Sequence, residues 1–187
     1  MDRQYRLYLC WPRYLAQWFA HEMYRLQHQE DEHLEPYQYC CDVEPSDLEA
    51  VDTRRGSAER NILEMCLTKQ PDSIPELPSK DATICLLIPN FLNKPADTYN
   101  YLRPQGRELL EQTVRNHFRL ELTKYMNRVL FSTRSGRASY KASNELAITA
   151  FMELNGIEYT DTNIQAIKTL WRRLYHYQYY KERNPKS

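Results

Sequence analysis

From Pro104 to about Leu130 the residues Leu109, Leu110, Val114, Phe118, Leu122, Tyr125, Met126 and Val129 recur at three-and-four spacing, a period that only a long helix gathers onto one side. Pro104 suits the opening turn of that helix, where a missing N–H costs nothing. Ser132 to Ser143 then reads as a basic turn around Gly136. Behind it Leu146, Ala147, Ala150, Phe151 and Leu154 again keep helical spacing, with Ser143 placed to cap the first turn. Asn155-Gly156 stops this helix. After Ile157, Thr160 and Asp161 are alternative caps for a last helix whose stripe is Ile164, Ile167, Leu170, Trp171 and Leu174. Residues 101–187 are therefore expected to be all-helical and to end in a helix-turn-helix-like pair.

The preceding half has a different texture. Gln4 to Cys10 alternates, with Tyr5, Leu7 and Leu9 on one face, which suits a half-buried strand. Ala82 to Ile88, ATICLLI, is a continuous apolar run that suits a buried strand, and the two are expected to pair in a small sheet. Between them the spacing predicts one helix from Arg13 to about Gln27, with Leu15, Trp18, Phe19 and Met23 inward, and another from Ser57 to Leu67 with Ser57 as cap. Gln29 to Asp52 reads as a long acidic connection, a length that usually marks an interaction surface, a lid or an insertion. Asn90 to Tyr101 reads as a polar loop. The fold class is thus α+β: an acidic α+β region over residues 1–100 and a basic helical region over 101–187, packed as one compact unit.

Charge is where composition matters. The formal net charge is zero, yet residues 1–100 carry 10 Lys and Arg against 17 Asp and Glu, whereas residues 101–187 carry 15 against 8. Such a split either steers the basic half to a polyanion or lets two halves, or two copies, attract each other.

Several function classes fall away. Five cysteines, Cys10, Cys40, Cys41, Cys66 and Cys85, form an odd set without a C-x-x-C pair, which fits a reducing cytoplasm better than a disulfide framework. The amino terminus is broken by Arg6, Pro12 and Arg13 and lacks a small-residue cleavage site, so no secretory signal is expected. No run approaches the roughly 18 apolar residues of a membrane helix. With 4 glycines and no G-x-S-x-G or G-x-G-x-x-G, a nucleotide-binding turn has little to be made from. His21, His28 and His33 with Cys40 and Cys41 match no common zinc spacing. Asp31, Glu32 and Glu35 read as a solvated acidic cluster. Tyr175, Tyr177, Tyr179 and Tyr180 raise the idea of a tyrosine nucleophile, but no metal motif or arginine and histidine cluster accompanies them, and such residues more often cover apolar surface. Neither an enzyme, a cofactor, a metal nor a small-molecule substrate is expected.

What remains is the last helix. In a helix-turn-helix reader the first residues of the second helix face base edges, and Asn and Gln pair bidentately with adenine. That makes Thr162, Asn163, Gln165, Ala166 and Thr169 the base-contact candidates. Arg134, Arg137, Lys141, Lys168, Arg172 and Arg173 are the phosphate candidates, since counterion release from phosphates supplies most of such affinity.

PNFLNKPADTYNYL near Pro89 to Leu102 and AFMELNGIEYTDTNIQAIKTLWRR near Ala150 to Arg173 resemble a family of uncharacterised proteins encoded in Bacteroidetes genomes, often associated with mobile elements or prophages. The resemblance implies a mobile-element context and no catalytic residues. The leading expectation is a non-enzymatic, cytoplasmic DNA-binding protein, a regulator or mobile-element accessory protein, acting through residues 161–175 as a homodimer. The alternative is an assembly module that uses the acidic half and the tyrosine-rich end without nucleic acid.

Overall fold

A computed structural model describes residues 5–28, 44–71, 78–133 and 140–183, with side chains described as far as 129 in the third stretch and over 144–175 in the fourth. The class is α+β. In chain order the elements are β1 (Arg6–Leu9), α1 (Arg13–Gln27), β2 (Ala50–Val51), α2 (Ala58–Cys66), β3 (Leu67–Thr68), β4 (Ile84–Leu87), β5 (Tyr101–Leu102), α3 (Pro104–Thr133), α4 (Tyr140–Leu154) and α5 (Asp161–Arg183). They fall into two compact units, Met1–Asn116 and His117–Ser187, with the division inside α3.

The first unit is built on a three-stranded sheet of order β1-β4-β2. The expected pairing of the two apolar segments is present: β1 runs antiparallel to β4 with Leu7 opposite Leu86 and Leu9 opposite Ile84. β4 is central and buried, which explains its unbroken apolar run. β2 adds to its other edge in parallel, Val51 opposite Leu86; this strand comes from the end of the segment expected to be a loop. Thr83 ties the start of β4 to the chain after β1. Its Oγ1 accepts from the Trp11 N–H at 2.8 Å and donates to the Trp11 carbonyl at 2.7 Å. α1 starts at Arg13 behind Pro12, as its spacing predicts, and buries Leu15, Trp18, Phe19 and Met23.

α2 is capped by Ser57, whose Oγ accepts from the Arg60 N–H at 3.1 Å. The chain then turns directly into β3, which pairs with β5; β5 lies where a loop was expected and makes 101–102 extended rather than helical. Next, the first turn of α3 is drawn in tightly. A Cβ on Gly106 would stand 2.8 Å from Leu102 Cδ1 and 3.0 Å from Cys66 Cβ. Arg107 donates to the carbonyls of Leu102 and Tyr8, each at 2.9 Å. These contacts tie the first turn of α3 into the first unit, which extends past residue 100 to Asn116.

In the second unit the seam of α3 continues through Phe118, Leu122 and Met126, all buried. Phe151 of α4 meets Phe118 edge-on at 5.7 Å between ring centroids and lies 5.3 Å from Tyr125. Here two local expectations are corrected. α4 begins at Tyr140, so Ser143 lies inside it and does not cap it. Its buried face is Ala147, Ile148, Phe151 and Met152, while Leu146 and Leu154 are 72% and 62% exposed. The apolar residues of α4 outnumber one stripe, and α3 and α5 together decide which arc is covered.

Candidate nucleic-acid interface

The turn between α4 and α5 is a Schellman-type stop built on the local sequence. Gly156 takes a left-handed φ of 62°, the conformation for which glycine is suited. The Ile157 N–H reaches back to the Met152 carbonyl at 2.9 Å and the Gly156 N–H to the Glu153 carbonyl at 3.4 Å. Ile157 follows into the core. Of the alternative caps, Thr160 performs the role: its Oγ1 accepts from the Asn163 N–H at 3.3 Å, and its carbonyl accepts from the Ile164 N–H at 2.9 Å. α5 then runs from Asp161 well past Tyr175.

Burial divides α5 cleanly. Asn163, Ile167 and Trp171 are buried, and Thr162, Gln165, Thr169, Arg172 and Arg173 are exposed. At 3.6 residues per turn those five exposed residues fall within about 100° of arc and along about 16 Å of axis. That is the width of a single helix face, and a helix face is what the roughly 12 Å major groove admits. None of the five side chains carries a hydrogen bond or ion pair among the described residues. The two arginines lie at the carboxyl-terminal end of the face. At its amino-terminal end stand Asp161 and Glu158, both exposed, so the positive potential grows along the helix away from the turn.

Three of the proposed site residues are placed otherwise than the sequence suggests. Asn163 is 1% exposed, and its Nδ2 donates to the Glu158 carbonyl at 3.0 Å; it staples the turn and is withdrawn from any base-reading role. Ala166 is half-buried at the edge of the arc. Lys168 is folded back onto α4, where its Nζ lies 2.9 Å from Glu145 Oε1, and is therefore corrected from a free phosphate contact to an interhelical pair. Glu145 had no local signal of this, being 23 positions away. Lys141 is placed on α4 by its backbone alone, and Arg134 and Arg137 lie outside the described residues.

The other candidates do not gather. Among the described residues no three His, Cys, Asp or Glu side chains come together as metal ligands; His33, Cys40, Cys41 and the acidic cluster at 31–35 lie outside those residues. Tyr177, Tyr179 and Tyr180 are placed on α5 by backbone alone. Among the described residues two groups have clearly displaced pKa values, and both belong to the first unit. Burial lowers that of His21, Glu22 acts the other way, and Arg25 lowers it further. Burial pushes the Cys85 thiol up to about 11, with Arg6 and a hydrogen bond to Tyr8 acting the other way, so this β4 cysteine stays protonated and unreactive at neutral pH.

Fold and surface together define an α+β protein whose second unit presents two helices joined by a short turn, α4 and α5, with an open polar and basic face on α5. No protein-family model, no curated protein and no solved structure matches the chain. Among the described residues no helix is long and apolar enough to cross a membrane.

Proposed function

We propose that this chain is a non-enzymatic DNA-binding protein of the cytoplasm, a transcriptional regulator or an accessory protein of a mobile element, that lays α5 in the major groove. The observation that carries this reading is the uncommitted face of α5, where Thr162, Gln165 and Thr169 lead into Arg172 and Arg173. Hydroxyls and an amide near the start of the helix suit base edges, and the arginines beyond them suit phosphates. One such helix seldom supplies enough specificity, so the reading includes a homodimer that sets two α5 helices on successive half-sites.

A gel-shift titration across salt concentration tests it. Binding at low salt is expected to weaken steeply as salt rises, and Arg172→Ala/Arg173→Ala is expected to bind less tightly at every salt concentration. Absence of binding at low salt, or unchanged affinity in the double variant, would overturn the proposal.

A further inference from the structure

A second site lies in the first unit, far from α5 in sequence. β2 and β4 are parallel, so both release their chains at the same end of the sheet, and antiparallel β1 begins there, with the Ile88 N–H bonded to the Tyr5 carbonyl at 2.9 Å. The loops after β2 and β4 therefore lie together at this end of the sheet. A cavity of about 420 Å³ lies there, bordered by Tyr5, Asp52, Arg55, Arg60, Asn90 and Asp97. That volume falls within the range of small-molecule sites, about 300–1,000 Å³.

Its walls are fixed without a ligand. Asn90 Oδ1 accepts from the Ala96 N–H at 2.9 Å, holding the loop after β4. Lys94 Nζ, in the same loop, donates to the carbonyls of Met65 and Leu67, each at 2.9 Å. Arg60 is 17% exposed at its side chain, and both of its hydrogen bonds leave from Nη1, to the Thr53 carbonyl at 2.8 Å and to Asp52 Oδ1 at 3.5 Å. Its Nε and Nη2 carry no hydrogen bond among the described residues, and the guanidinium lies over the Phe91 ring at 5.7 Å from the centroid. Arg55 is exposed and carries no partner among the described residues. Of the two carboxylates, Asp52 is already engaged by Arg60, while Asp97 Oδ1 accepts from the Thr98 hydroxyl at 3.0 Å on the exposed rim.

We infer that this cavity binds the oxyanion of a small molecule, a phosphate or carboxylate group, between the guanidinium groups of Arg55 and Arg60. Arginine is the side chain whose planar fork fits such groups with paired hydrogen bonds. The mixed lining favours a ligand that also carries hydroxyl or amine donors for Asp97, over a bare polyanion.

The test is a thermal-shift and calorimetric titration of the full chain with inorganic phosphate and with acetate, against chloride at matched ionic strength. A saturable response to either oxyanion is expected, weakened at least about tenfold in Arg55→Ala, the size that follows from losing a charged hydrogen bond. Arg55 has no partner to lose, so this variant should melt like the parent in chloride; Arg60→Lys, which keeps the charge and removes the fork, gives a second reading. Arg172→Ala/Arg173→Ala should leave the response intact, which separates this site from the α5 face. The inference is overturned if neither oxyanion differs from chloride, if Arg55→Ala and Arg60→Lys both respond like the parent, or if the α5 double variant abolishes the response.

Discussion

Asn163 is the residue on which two uses of an amide compete. Its chemistry suits adenine, but its position turns it beneath α5, where Nδ2 meets the Glu158 carbonyl and the side chain is sealed from water. A buried amide must have its partner, and losing it costs about 1–3 kcal/mol. Asn163→Ala is therefore expected to lower stability by about that amount in urea denaturation, whereas Gln165→Ala, on the open face, should leave stability within about 0.5 kcal/mol. His21 carries the other residue-scale expectation. Its Nδ1 is buried without a hydrogen-bond partner, and burial holds its pKa below the ordinary 6.5. The unfolded chain then takes up the proton first as pH falls, so the native state loses stability below about pH 6.5. His21→Gln should show a shallower decline of melting temperature on acidification than the parent; an identical decline would show that His21 does not contribute.

At the scale of elements, glycines stand at two junctions for different reasons. Gly156 is required by its φ of 62°; Gly156→Ala should cost about 1–2 kcal/mol, the penalty of a left-handed conformation for a residue with a Cβ. Gly106 is required by space, because its neighbours Leu102 and Cys66 approach within 2.8 Å and 3.0 Å of where a Cβ would sit. Gly106→Ala is expected to cost about 1–3 kcal/mol as an overpacked contact, read by the same denaturation assay. The first need is written in the local sequence, since Asn-Gly after an apolar helix announces a stop. The second is not, because Leu102 and Cys66 meet Gly106 only after β5 and the end of α2 are in place. The Lys168–Glu145 pair belongs to the second kind too, and its exposed carboxylate keeps its contribution within about 1 kcal/mol.

Across the whole molecule, the charge split follows the structural division closely. Met1–Asn116 carries 13 Lys and Arg against 19 Asp and Glu, and His117–Ser187 carries 12 against 6, so the units are formally −6 and +6. For the proposed DNA complex this makes affinity strongly salt-dependent. Removing two phosphate contacts in Arg172→Ala/Arg173→Ala should reduce the slope of log affinity against log salt by roughly 2. A slope unchanged in the variant would mean that the arginines do not touch phosphate.

Sequence alone determined the α+β class, the pairing of Gln4–Cys10 with Ala82–Ile88, the spans of α1 and α2, and the length of α3, because each rests on a local period or cap. It also located the stop at Gly156 and the helix that follows. Tertiary structure alone decided which arc of α4 is covered, that Leu146 and Leu154 face outward, that Asn163 and Lys168 are spent on the turn and on α4, and that Arg55 and Arg60 share a cavity. The physical reason is the same in each case. A period fixes which residues lie together on an element, whereas the neighbour that covers one arc of it comes from distant chain and is chosen by packing.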